Sequence, residues 1–417
     1  MTMTNTSNSN GFYDVVVVGG GPSGAALATF LARDGHRCLI LERSQFPRYH
    51  IGESLIPHTY GTFERLGLLP KLSASNFPKK YSVRFVSPTG ETSSPFYFSE
   101  RIPAESAQTW QVERSKFDQM MLDHAREHGV EVRQETQVEK VLFEEGRAVG
   151  VRAVQEDAEA YEVGAKVVVD ASGGATLIGR QLGLRKPVPG LKKASLWAYY
   201  RGGMRLPGID AGETTIFRIS DDGWFWYIPL PDDIVSVGIV ASPEYLFDQI
   251  DDKEVVFRRE VEGCHPLSER LARAKRVGPI RGGRRELAYV NRQTCGDGWL
   301  MIGDARAFLD PIYSSGLFLA LASAELAAQC VHEALEVDDL FATRLGRFEP
   351  ELSAGIEVIH RLIHAFYDPQ FSFGKFVERF PEQRPALIDC LIGDVLQKDM
   401  CSFIEALAQM TPPPEPL

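Results

Sequence analysis

Cysteine is scarce in this sequence and never paired at short range. Six residues, Cys38, Cys264, Cys295, Cys330, Cys390 and Cys401, are scattered over 417 positions with no Cys-x-x-Cys and no His/Cys spacing of the metal-binding kind. A disulfide framework and a zinc site are thereby disfavoured, no metal is expected, and a reduced, cytoplasmic protein fits best. Basic charge is also short. The 45 Lys and Arg residues face 56 Asp and Glu, a net charge of -11, so the electrostatic footprint of a nucleic-acid partner is missing. Long apolar runs are absent as well: "GLFLALASAELAAQC" is too short to span a bilayer and carries a glutamate. The opening "MTMTNTSNSN" lacks the basic-then-apolar order of a signal peptide and reads as a disordered lead-in, with "TPPPEPL" as a Pro-rich tail.

What is present is an ordinary globular composition, 44% hydrophobic and 24% charged, at a length that suits two or three domains' worth of core. "YDVVVVGGGPSGAALATFLARDGHRCLILER" reads as strand, glycine turn, helix, strand. "DVVVV" is the continuous apolar run of a strand buried on both faces of a parallel sheet. Gly19, Gly21 and Gly24 form GxGxxG between that strand and the helix, the context that gives the motif its meaning. There the helix N-terminus, with Ser23 in its first turn, faces a pyrophosphate with free N–H groups. Glu42, at the end of the second strand, is spaced to accept from a ribose.

Further along, "RSKFDQMMLDHAREHG" is helical, "VEVRQETQVEKVLFEEGRAVGVRAV" alternates like an antiparallel hairpin, and "AKVVVDASG" is another buried strand ending in a glycine turn. Residues 195–285 look like a mostly antiparallel sheet. The predicted fold is α/β. A Rossmann-like domain is assembled from residues 11–83, 107–187 and 286–334, a β-sheet substrate domain from 84–106 and 188–285, and a helical C-terminal region from 335–417.

"GDARAFLDP" places Gly303 and Asp304 between an apolar strand and a helix, where the aspartate can accept from a ribityl hydroxyl. With "ERSKF", whose Arg114 can reach a flavin, three separated motifs in this order resemble the FAD-binding family that includes aromatic hydroxylases. The cofactor is therefore expected to be FAD. Arg48 is expected towards its pyrophosphate and the Val138 backbone at its adenine.

"GWFWYIP" places Trp224, Trp226 and Ile228 on one face of a strand and Phe225 and Tyr227 on the other. By itself this describes a strand in a two-sided core. It also matches the WxWxIP signature of flavin-dependent halogenases. "YHIGESLIP" and "NFPKKYSVRF" resemble the segments around their catalytic lysine, and "DPIYSSGLFLAL" resembles their halide-binding turn. The similarity runs from the glycine motif to "YDPQFSFG" and looks closest to the pyrrolyl-carrier-protein and chloramphenicol-pathway branch.

The resemblance implies that reduced FAD, supplied by a separate flavin reductase, reacts with dioxygen to a hydroperoxide, which chloride or bromide converts to hypohalous acid. Lys80, with its neighbour Lys79 as runner-up, would hold that oxidant beside a small aromatic substrate, free or tethered to an acyl or peptidyl carrier protein. Otherwise a Lys-Lys pair is most simply an exposed loop. Trp224 and Trp226 would keep the substrate ring off the flavin and exclude water, and Ser315 and Gly316 would bind halide at a helix start. Tyr313 stands where the free-tryptophan enzymes carry a glutamate, which points to electron-rich phenol or pyrrole rings. The alternatives are a halide-independent oxidoreductase of the superfamily, such as a geranylgeranyl-reductase-like enzyme, an aromatic monooxygenase, or a non-enzymatic flavoprotein.

Overall fold

A computed structural model describes residues 11–156, 158–219, 223–248 and 250–417. The expected lead-in at 1–10 lies outside them. The apolar strand Phe12–Val18 is the centre of the first sheet, paired in parallel with Tyr161–Asp170 on one side and Cys38–Leu41 on the other. Glu131–Arg133 and Trp299–Met301 extend the parallel set outwards. The hairpin Thr136–Glu144/Arg147–Gln155 attaches antiparallel to Tyr161–Asp170. Val15 and Val17 face one apolar cluster, and Val16 and Val18 another, which is why the run is apolar throughout.

Two helices cover the same face of this sheet. Pro22–Arg33 is almost wholly buried, and its small residues let it pack against the long helix Ser315–Glu336. Their N-termini, together with the C-terminal ends of the parallel strands, point to one rim. This is where ligands bind in such folds.

The second sheet has seven strands, in the order Lys275–Gly283, Ala194–Arg201, Ile234–Ala241, Gly223–Pro229, Thr214–Ile219, Ser82–Val86 and Phe96–Tyr97. All neighbours are antiparallel except Thr214–Ile219 and Ser82–Val86, which run parallel. The boundary expected at 83/84 thus falls inside a strand, because residues 82 and 83 pair with the second sheet. Trp224, Trp226 and Ile228 belong to the cluster shared with the first domain. Phe225 and Tyr227 face the opposite cluster, capped by Lys253–Gly263 and His265–Leu271 through Phe257 and Leu267. From residue 349 helices separated by loops make up the chain, and helix Glu349–Tyr367 lies against the same Trp face. Among the described residues no helix is long and apolar enough to cross a membrane. All six cysteines are unpaired.

Candidate active site

A cavity of about 840 Å³ opens at the rim of the first sheet. Gly19, Gly21, Ser23, Glu42, Arg48, Arg114, Val138, Asp304 and Gly316, all expected from the sequence, line it. Gly19 has φ +105°, and a Cβ there would stand 2.5 Å from the Ala171 carbonyl oxygen. Gly24 does not reach the cavity. It lets helix and strand close up, since its Cβ would lie 2.1 Å from the Gly19 carbonyl oxygen. Gly303 likewise lies behind the wall, its N–H held by Ser323 Oγ at 2.9 Å.

Charges are fixed around this rim. Glu42 accepts from the Gly20 N–H at 2.8 Å and the Ser44 N–H at 2.9 Å, and a carboxylate has lone pairs to spare for a ribose. Arg114 is buried and forks onto Asp118, Nε to Oδ1 at 2.7 Å, while its Nη1 donates to the Ile51 and Gly52 carbonyls. Arg48 shares Asp118 at 3.1 Å. Arg114 therefore shapes the wall and supplies positive charge. Asp304, also on the wall, has its carboxyl pushed up to about 6 by desolvation, which Arg114 opposes. A hydroxyl donor in the cavity would relieve it.

Lys80 sits in different surroundings. It pairs with Thr109 in a two-stranded ribbon, so Lys79 points to solvent and Lys80 inward. The amine is 2% exposed, donates to Ser54 Oγ at 2.9 Å and the Leu55 carbonyl at 3.1 Å, and lies 5.5 Å over the Phe98 ring. Burial pulls it down to about 7, with Glu213 opposing. Ser54 in turn meets Thr214 Oγ1 at 3.0 Å, which Gln111 Nε2 also donates to at 2.8 Å.

Sheet register links these parts. Tyr199 pairs with Ser236 and Ser236 with Ile228, so the three share one face. Alternation puts Thr214 on that face too, two residues before Ile216, the partner of Trp226. The row Tyr199, Ser236, Ile228, Thr214 thus leads from the flank of the cavity, where Tyr49 meets Tyr199, to Ser54 and Lys80. Trp226 lies beside this row, its Nε1 donating to Ser236 Oγ at 3.1 Å. Gly238 leaves room for its indole, since a Cβ there would stand 2.1 Å from the ring. Trp224, 6.1 Å from Trp226 between ring centres, donates to Tyr367, which donates to buried Asp310 at 2.8 Å.

The turn after Asp310 ends in Ser314 at φ +55°, so helix Ser315–Glu336 starts with no side chain capping it. Its first N–H groups have no intrahelical acceptor. Ser315 is buried and Gly316 lies on the cavity wall. Tyr313 is buried too, its hydroxyl donating to the Leu362 carbonyl at 3.1 Å, which ties the turn to helix Glu349–Tyr367.

Comparisons with known proteins agree with this arrangement. The FAD binding domain family matches residues 12–200. A 1H-pyrrole-2-carbonyl-(peptidyl-carrier protein) brominase of Pseudoalteromonas luteoviolacea is 33% identical, covering 91% of this chain and 92% of its own. The chain belongs to the flavin-dependent halogenase family. The corresponding chlorinase of Pseudomonas fluorescens is 30% identical over 95% of this chain and 93% of its own length. The structure of the flavin-dependent brominase Bmp2 superposes with a TM-score of 0.85 at 29% identity, covering 96% of this chain and 97% of that one.

This halogenase-family chain thus has the FAD-binding fold of the aromatic-hydroxylase type and is a flavoprotein oxidoreductase whose cofactor is FAD. The cavity fits FAD: it is large enough, its glycine turn lets a pyrophosphate approach, and Asp304 awaits a donor. Sequence reasoning missed the loop Ser172–Ala175, Arg180 and Arg285 on the cavity wall, and Glu53 beside Tyr199. The glycine turn after "VVVD" was the available signal for the first, because strand ends gather at one rim. Among the described residues, one grouping of metal-ligand type, His36, His332 and Glu336, is assembled from separate segments away from the cavity, and its two imidazoles hydrogen-bond each other at 2.9 Å.

Proposed function

We propose that this enzyme halogenates an electron-rich phenol or pyrrole ring with chloride or bromide, and that Lys80 presents the halogen to the ring. The observation that carries this reading is a fully buried amine outside the cofactor cavity, joined through Ser54 and Thr214 to the row of the sheet that leads to the cavity's flank. Bound and reduced by a separate flavin reductase, FAD supplies the activated oxygen that oxidises halide. The cavity holds that cofactor through the glycine turn, Glu42, Arg48 and Asp304, with the Val138 segment along the wall. The start of helix Ser315–Glu336 offers halide free N–H groups and a partial positive charge at Ser315 and Gly316.

Trp224, Trp226 and Ile228 make an apolar wall that a small oxidant passes and a ring does not, and they keep water away from it. At neutral pH a large part of Lys80 is uncharged, because burial disfavours the ammonium. The neutral amine either holds hypohalous acid by hydrogen bonding or takes the halogen as a haloamine, releasing water. Its bonds to Ser54 and Leu55 fix the nitrogen beside Ser54, which meets Thr214 on the Trp face. With Tyr313 pinned to the Leu362 carbonyl, position 313 supplies no carboxylate for a ring proton, which suits rings that need little assistance. Both pyrrole-acting relatives are named for carrier-protein-bound substrates, and a tethered pyrrole is the favoured form here. Six free thiols suit work in the cytoplasm.

The test is turnover with reduced FAD and oxygen on free phenols, free pyrroles and a pyrrolyl-carrier protein, run with bromide, with chloride and without halide. A bromine or chlorine isotope pattern in the product is the expected result. Equal oxidation of substrate without halide would move the enzyme to the reductase or monooxygenase class.

A further inference from the structure

One buried carboxylate lies between the cofactor cavity and Lys80. Glu53 follows Tyr49–Gly52, all of which line the cavity, and precedes Ser54 and Leu55, which hold the Lys80 amine. It is 4% exposed. Its Oε1 accepts from the Tyr199 hydroxyl at 2.7 Å, and its Oε2 is enclosed with no donor in full hydrogen-bond geometry, the Ser236 hydroxyl being the one further side-chain donor that acts on the carboxyl. An orphaned carboxylate oxygen in the interior is costly unless it carries a proton or meets a ligand.

The donors behind it form a file that ends in solvent. Tyr199 donates to Glu53 and so accepts from Tyr49, whose hydroxyl stands 3.0 Å away. Tyr49 accepts in turn from Trp197 Nε1 and is 42% exposed. On the inner side stands Ser236, on the row that leads to Lys80, already accepting from Trp226.

Resting on the halogenase reading above, we propose that Tyr49, Tyr199 and Glu53 form a proton path that keeps the oxidant in its neutral acid form. Hypohalous acid that has lost its proton to the base left by the oxidation step is present as hypohalite; the Glu53 carboxylic acid returns a proton to it through Oε2, giving hypohalous acid and a carboxylate. The carboxylate regains a proton through the Tyr199 and Tyr49 hydroxyls from solvent. Only protons move, and the halogen stays at the same oxidation level. A neutral oxidant crosses the apolar Trp face at lower cost than an anion and is the form a neutral amine can receive.

The electrostatics are consistent with this role. Desolvation pushes the Glu53 carboxyl up to about 7; the Tyr199 and Ser236 hydroxyls and Arg114 pull it down, and Glu113 pushes with the burial. Those groups, with Tyr49, are the polar and charged side chains that act on it most strongly. It therefore carries a proton for part of the time near neutrality, as a relay must.

The experiment compares wild type, Glu53→Gln and Tyr199→Phe as FAD-loaded enzymes. Infrared difference spectra of wild type against Glu53→Gln should show a protonated-carboxyl band titrating near pH 7. Its shift on transfer to heavy water should slow at least tenfold in Tyr199→Phe. Halogenation by Glu53→Gln should fall about tenfold at alkaline pH and much less at acid pH, where the medium protonates hypohalite, with FAD affinity unchanged. A carboxyl titrating in the ordinary carboxylate range would overturn the proposal, and so would unaltered exchange in Tyr199→Phe or a wild-type pH profile in Glu53→Gln. If the wild type makes no halogenated product, the functional reading fails and the role assigned to the path fails with it. The infrared arms then show separately whether the path itself exists.

Discussion

The cofactor cavity and the Lys80 site are built on opposite plans. The first is a wide hollow of about 840 Å³ walled by glycines, backbone and paired charges. The second is closed: Lys80, Ser54, Thr214 and Gln111 are buried in one hydrogen-bonded group, and Trp224 and Trp226 are buried 6.1 Å apart on the neighbouring sheet face. A large polar cofactor needs a preformed seat, since its phosphates must find oriented N–H groups. A reactive oxidant needs dryness and a lysine that is not permanently charged, and both come from close packing. On the proposed reading, substrate reaches Lys80 only when part of this packing opens. Helix Glu349–Tyr367 and the segment Asp368–Phe373 touch Trp224 and Arg218 and cover that end of the sheet face.

The contrast can be broken from either side. The largest effect is expected from Gly24→Val, which forces side-chain carbon towards the Gly19 carbonyl 2.1 Å from the Cβ position. It should cost more than about 4 kcal/mol and abolish FAD binding, read by thermal unfolding and flavin titration. Trp226→Ala empties the space that Gly238 leaves for the indole. A loss of about 3–5 kcal/mol in chemical unfolding is expected, with free hypohalous acid escaping to an external scavenger.

Lys80→Met sharpens the comparison through pH. The folded amine titrates near 7 instead of 10.5, so between those values the unfolded chain binds the extra proton and stability rises with pH. The burden is therefore full below pH 7 and gone by 10.5. The Met variant should be more stable by a few kcal/mol at acid pH, with the difference shrinking as pH rises. A pH-independent difference would contradict a buried, titrating amine. Asp304→Asn should have the smallest effect: FAD affinity falls about tenfold, the worth of one charged hydrogen bond, while the Lys80 site is untouched.

How much of this was legible follows from how local each signal is. The strand-glycine-helix unit at 13–43 and the two faces of "GWFWYIP" rest on periods of a few residues, and both appear as expected. Lys79 and Lys80 could not be told apart by composition. Their difference comes from pairing with Thr109–Trp110, which puts one side chain in and one out. Glu53 was passed over because its partners Tyr199 and Ser236 lie 146 residues and more away along the chain. Arg285 and the Ser172–Ala175 loop reach the cavity through tertiary packing, which no local pattern announces. The parallel pairing of Ser82–Val86 with Thr214–Ile219 was hidden in the same way.

In the proposed reaction, halide oxidation and ring halogenation occur at two separate places, with Lys80 serving only the second. The most direct measurement assays Lys80→Ala and wild type side by side with reduced FAD, oxygen and bromide, scoring brominated aromatic product and bromination of an external scavenger by mass spectrometry. The variant should lose aromatic product on the order of 10³-fold, while it binds FAD normally and still delivers oxidised bromide to the scavenger. Aromatic bromination by Lys80→Ala at the wild-type rate would contradict that separation.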